Sequence, residues 1–134
     1  MGRIAALDFG LKRIGMAISD PRKIVATPLP KILNDKKVVE TLVQTLSSYH
    51  PIENIVLGLP LLFNGKEGDM ALFVRQFAEK LQPHFSILFW DERLTSAQAE
   101  KALKEASLSR KKRSLLIDSV SAMFILQSYL DSLG

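Results

Sequence analysis

Asp8, the pair Asp91-Glu92 and Asp118 have the residue type and the setting for chemistry in this chain. Asp8 closes the apolar run Ile4-Ala5-Ala6-Leu7 and is followed two residues later by Gly10, and Asp91-Glu92 closes the run Ile87-Leu88-Phe89-Trp90. Unbroken apolar runs mark strands covered on both faces, and ligand-facing groups belong at the carboxyl ends of such strands. Taken alone, Asp8 reads equally as a side chain that caps a tight turn beside glycine. Asp118 falls in the first turns of a predicted last helix, which could lie across the sheet and bring it to the same rim. Three carboxylates at one place repel one another unless cations hold them. Their convergence therefore suits hard divalent ions bound by oxygen, Mg2+ or Mn2+. Other chemistries have less support. The chain has no cysteine for a thiolate site, a thiol nucleophile or a disulfide framework, and both histidines, His50 and His84, adjoin prolines and read as loop residues.

The elements that must position these acids follow from periodicity. The run at 4–9 reads as a central strand, and Ile14-Gly15-Met16-Ala17-Ile18-Ser19 alternates large and small residues as a second strand paired back on it. A third strand is expected at Ile24–Leu29, on an edge because Pro28 cannot donate to a ladder. Asn34 or Asp35 offers a helix N-cap, and Val39, Leu42, Val43, Leu46 and Tyr49 recur at helical spacing up to Pro51. Asn54–Gly58 is a short buried strand, and Met70, Phe73, Val74, Phe77 and Leu81 make the stripe of a second helix. A strand at Phe85–Trp90 follows. Thr95 and Gln98 have capping-box spacing, so a third helix is expected from about Ser96 to Ala106. The cations Arg110-Lys111-Lys112-Arg113 read as a connector that either grips phosphates or is simply solvated. The last helix is expected from about Ser114 to Leu130, burying Leu116, Val120, Met123 and Phe124.

This order predicts an α/β fold: a mixed five-stranded sheet, three antiparallel strands followed by two parallel ones, with helices on both faces. Right-handed crossovers place strand four beside strand one and strand five outside it, so the carboxyl ends of strands one, four and five share a rim. At 134 residues, 47% hydrophobic and 24% charged, the chain is expected to form one domain over residues 1–134. The absence of a bilayer-length apolar run, and a first strand that begins without a leader, predict a cytoplasmic protein with no membrane partner. A formal charge of +4 mildly favours a polyanionic partner.

The segment Asp8-Phe9-Gly10-Leu11-Lys12-Arg13-Ile14-Gly15-Met16-Ala17-Ile18-Ser19-Asp20 resembles the opening motif of the YqgF family, also called RuvX, in the ribonuclease H-like superfamily. Gly58-Leu59-Pro60, Asn64-Gly65-Lys66-Glu67-Gly68, Asp91-Glu92-Arg93-Leu94-Thr95-Ser96 and Asp118-Ser119-Val120-Ser121-Ala122 resemble the remaining motifs in order. Leu62 departs from the asparagine usual there, and Ser121 replaces one of a pair of alanines. The resemblance implies a ribonuclease H-like fold and phosphodiester hydrolysis, with Asp8, Glu92 and Asp118 as catalytic, metal-holding positions. Related resolvases carry an acid at the end of strand four, where this chain has Gly58. A glycine there leaves room for Glu92 to reach across from the outer strand, although Asp91 competes because adjacent strand residues point to opposite faces. Gly10 and Gly15 would likewise permit close approach to Asp8.

The implied mechanism is two-metal hydrolysis, with Lys12, Arg13 and Arg93 near the scissile phosphate. The implied substrate is the 5′ end of precursor 16S ribosomal RNA, free or in a pre-ribosomal particle, with a four-way DNA junction as the alternative. A two-fold dimer would favour the junction and a monomer the RNA, and the sequence leaves the oligomeric state open. Two further readings stand beside these. One is a nucleic-acid-binding module that cuts nothing. The other is a lobe of an actin-like kinase or ATPase, disfavoured because such enzymes need two lobes to enclose a nucleotide.

Overall fold

The computed structural model describes the backbone of residues 2–92 and 110–134, and the side chains of 2–92 and 119–134. The elements are β1 (Arg3–Phe9), β2 (Arg13–Ser19), β3 (Ala26–Leu33), α1 (Val38–Ser47), β4 (Ile52–Leu59), α2 (Asp69–Leu81), β5 (Ile87–Asp91) and α3 (Arg110–Leu133). The strands form one sheet in the order β3-β2-β1-β4-β5. β1 pairs antiparallel with β2, and β2 antiparallel with β3; β1 with β4, and β4 with β5, are parallel. The expected strand order therefore holds, with Leu7 paired to Leu57 and Leu57 to Phe89. No helix among the described residues is long and apolar enough to cross a membrane.

Side-chain alternation divides the core between the two faces of the sheet. Ala5, Leu7, Ile14, Met16, Ile55, Leu57 and Leu59 pack with Leu42 and Leu46 of α1 and Val74, Phe77 and Leu81 of α2. Ile4, Ala6, Ala17, Ala26 and Val56 face the other way, against Ala122, Ile125, Leu126 and Leu130 of α3. Small side chains on this second face, Ala6, Ala17 and Ala26, let the long helix α3 lie close to the strands. They also set its rotation: Ala122, Ile125 and Leu126 are buried, whereas the expected Met123 and Phe124 are only half-buried.

Three expectations need correction. β3 runs on to Leu33, past two prolines, because it is an edge strand: the Ala26 N–H turns outward to Gln127 Oε1 (3.0 Å), so Pro28, two residues on, has no ladder bond to lose. Asn34 and Asp35 do not cap α1, which begins at Val38 with no side-chain cap at Lys37. Asp35 instead closes a turn on the Lys37 N–H (2.9 Å). The basic run is not a connector. Arg110-Lys111-Lys112-Arg113 forms the first turn of α3, because Lys and Arg are good helix formers and neither Gly nor Pro interrupts the sequence down to Leu133. The helix expected at about Ser96–Ala106, and Arg93, lie outside the described residues.

Candidate active site

The rim where β1, β4 and β5 end is built by register. Ile4 and Ala6 of β1 face α3, so Asp8, next in the alternation, belongs to that face, where it is half-buried. Its partner on β2 is Gly15. Asp8, Phe9, Gly10, Lys12 and Arg13 line a depression of about 190 Å³, so two exposed cations stand at the edge of the hollow that contains the aspartate. The β1–β2 turn that carries them is tight: a Cβ on Gly10 would lie 2.5 Å from the Arg13 carbonyl oxygen. Asn34 holds this turn from outside. Its side-chain amide donates to the Gly10 carbonyl (2.8 Å) and its backbone N–H to the Lys12 carbonyl (2.9 Å). Sequence reading missed this role, and the usable signal was positional: a residue just past a third strand paired to β2 must arrive beside the first turn.

On the other side of Asp8 lies Gly58, one residue beyond Leu57 as Asp8 is one beyond Leu7, in strands about 4.8 Å apart. Gly58 pairs with Trp90. Trp90 faces α3, its ring edge-on to Tyr129 (5.4 Å between centroids) and its indole N–H donating to Ser128 Oγ (3.2 Å). Glu92, two residues on, falls on this face and folds back across β4. A Cβ added to Gly58 would come within 2.5 Å of Glu92 Oε1, 2.8 Å of its Cγ and 2.7 Å of Ile125 Cδ1. Asp91 pairs with Leu59, whose side chain lies in the core on the α1/α2 face, so alternation directs Asp91 away from Asp8. Both acids are half-buried.

α3 brings the third candidate. The Ser119 hydroxyl donates to the Leu29 carbonyl (2.6 Å), and Leu29 pairs with Met16, itself paired with Leu7. Ser119 therefore sits over β3, two strands from β1 and in the register row next to that of Asp8, and Asp118 precedes it, one helical turn before the buried Ala122. Among the described residues, no three His, Cys, Asp or Glu side chains gather closely enough to hold a metal. What is described is an all-oxygen pair, Asp8 and Glu92, on one face of neighbouring strand ends, with Gly58, which has no side chain of its own, leaving the space over β4 to the Glu92 side chain. That donor chemistry fits Mg2+ or Mn2+ better than softer metals.

The comparisons agree with this architecture. Two solved structures align over nearly the whole chain. The Fowlpox virus resolvase, in a complex with Holliday junction DNA, has TM-score 0.57 and 18% identity and covers 98% of each chain. T. thermophilus RuvC, with a Holliday junction substrate, has TM-score 0.54 and 10% identity and covers 100% of this chain and 97% of its own. At these identities the likeness bears on the fold, which is ribonuclease H-like. Closer in sequence is a protein of Sulfurihydrogenibium sp. (strain YO3AOP1) named "Putative pre-16S rRNA nuclease", 50% identical over 100% of this chain and 93% of its own length. A relative of the same name from Syntrophomonas wolfei is 49% identical over 98% of this chain and 97% of its own. The family model described as RuvX, Holliday junction resolvase, matches residues 2–132, and the chain therefore belongs to the RuvX family.

Proposed function

We propose that this protein is a metal-dependent endonuclease that hydrolyses phosphodiester bonds near the 5′ end of precursor 16S ribosomal RNA. The observation that carries the proposal is the Glu92 carboxylate lying on Gly58, beside the strand that ends in Asp8 and on the face α3 covers. Asp8, Glu92 and Asp118 would hold two Mg2+ or Mn2+ ions. When bound, such ions supply an activated water and a stabilised leaving oxygen. The protein's own groups do the rest. Lys12 and Arg13, at the edge of the Asp8 hollow, attract the phosphate and offset its charge, and Arg93 is assigned the same role by its place next to Glu92 in sequence. Half-burial of the two carboxylates limits competing water around the reacting phosphate. The cations at the start of α3 would grip the backbone of a longer substrate.

A Holliday junction resolvase is the second reading, favoured by the description of the matching family. The discriminating experiment is single-turnover cleavage of a precursor ribosomal RNA and of a four-way DNA junction, each with and without Mg2+, alongside the mass of the protein in solution. Magnesium-dependent cutting of the RNA by a monomer is expected. Asp8→Asn, Glu92→Gln and Asp118→Asn should abolish cutting while the protein stays folded, and Asp91→Asn should retain much of it. A well-folded Asp8→Asn variant that cleaves as fast as the parent refutes the site. Junction cutting by a dimer, with the RNA left intact, selects the second reading, and binding of either without cutting selects a non-catalytic module.

A further inference from the structure

A turn on the same rim presents an aromatic ring to solvent. Past Gly58 the chain forms the segment Leu61–Glu67, closed by a bridge between those two residues. The Leu62 N–H donates to the Lys66 carbonyl (2.8 Å) and the Gly65 N–H to the Leu62 carbonyl (2.8 Å). Asn64 Oδ1 accepts the Lys66 N–H (2.9 Å), and Gly65 takes the left-handed φ of 81° that the turn requires. The segment is also tied to the body of the protein. Both Glu67 oxygens accept from the Arg75 guanidinium of α2, Oε2 from Nη2 at 2.8 Å, and that guanidinium stacks 4.7 Å above the Phe89 ring of β5. At the tip of this braced turn Phe63 is fully exposed.

Isolated exposed apolar side chains are ordinary, but a whole aromatic ring held in water by a turn with this many bonds is placed at little further entropic cost to a ligand. Phe63 follows Gly58 by five positions, so its Cα lies within about 18 Å of the glycine that Glu92 covers, a span of roughly five stacked nucleotides. Lys66 on the same turn adds a cation, and the chain as a whole carries +4. We infer that Phe63 is a stacking platform for an unpaired base of the bound strand, with Lys66 for its phosphate, so that the protein engages single-stranded nucleic acid beside the scissile bond. This rests on the nuclease reading above for the position of the cut, and its test reads binding alone.

The probe is a single-stranded RNA 12-mer carrying 2-aminopurine at one position in turn, with a blunt duplex of the same sequence as control, both in EDTA so that nothing is cut. The parent protein should change the fluorescence at one or two adjacent positions. Phe63→Ala should erase that signal and weaken single-strand binding about 5- to 150-fold. It should leave duplex affinity and melting temperature unchanged, and Phe63→Trp should restore binding. The slope of log K against log salt should not move, since no cation is lost. Equal single-strand affinity of Phe63→Ala and parent overturns the inference, as does an equal loss on strand and duplex. Sedimentation showing a parent dimer that Phe63→Ala dissolves also overturns it, assigning the ring to contact with a second copy. If the stacking signature is present but the parent cleaves no nucleic acid, the platform stands and the nuclease reading fails. If the parent cleaves and the signature is absent, the reverse holds.

Discussion

Gly58→Ala isolates the geometry on which the site depends. Gly58 does not have the positive φ that would bar an alanine, so the whole effect comes from the added methyl group. That methyl would lie 2.5 Å from Glu92 Oε1, 2.8 Å from its Cγ and 2.7 Å from Ile125 Cδ1. All three distances are well inside van der Waals contact, and two belong to Glu92. The flexible carboxylate tip can give way more cheaply than Ile125, which is buried between α3 and the sheet. The expected stability loss is that of modest overpacking, about 1–3 kcal/mol. The effect on activity should be disproportionate, because a carboxylate displaced by about 1 Å costs on the order of 100-fold. Single-turnover cleavage and chemical unfolding on the same samples separate the two effects. In a Glu92→Ala background the same methyl meets only Ile125, so its stability cost should shrink by at least about 0.5 kcal/mol. A Gly58→Ala protein that cleaves and unfolds like the parent would refute the placement of Glu92, and identical costs in both backgrounds would assign the clash to Ile125 alone.

Other consequences are simpler to test. Leu57 is fully buried between its partners Leu7 and Phe89, and Leu57→Ala should cost about 2–5 kcal/mol in denaturant unfolding; under 1 kcal/mol would contradict the packing of that face. Replacing Arg110, Lys111, Lys112 and Arg113 by glutamine should weaken nucleic-acid binding and flatten the slope of log K against log salt by about 0.7 per lost contact on a single strand. It should also leave α3 folded or firmer, since four cations in its first turn oppose the helix dipole; an unchanged slope assigns the run to solvation. The hydrogen bond from Arg75 holds the Glu67 carboxyl below its ordinary pKa. A depressed carboxylate contributes its bracing at pH above the unfolded value and loses it as pH falls through the folded one, so the protection of the Leu62 and Gly65 amides against hydrogen exchange, taken relative to the intrinsic rate at each pH, should fall below the usual carboxylate range. Arg75→Gln should remove that pH dependence, and exchange that ignores both changes would show that the turn stands without the pair.

Much of the frame was legible in the residues. Apolar runs at 4–7 and 55–57, the alternation at 14–19 and the helical stripes at 39–49 and 70–81 each report a local period, although Val43, Met70 and Phe73 of those stripes are exposed, and right-handed crossovers convert their order into β3-β2-β1-β4-β5. The resemblance to the YqgF family rested on ordered motifs that span nearly the same length as the family match. What remained open depended on register between segments distant in sequence. Period-2 alternation requires Asp91 and Glu92 to face opposite ways, but which one faces Asp8 depends on β5 pairing Trp90 with Gly58 and on Glu92 folding back over a residue that has no side chain. Asn34 looked like a cap because capping is what asparagine does locally; its bond to Gly10 arises because β3 runs the length of β2 and delivers it to the first turn. The rotation of α3 followed from the alanines that three different strands present to it. The sequence by itself determined the five strands, the two helices that follow β3 and β4, and the order in which the strands pair, since those follow from local periodicity and chain handedness. Only the tertiary structure decided which faces Asp91 and Glu92 take and which turn Asn34 ties down, because those are contacts made across the sheet.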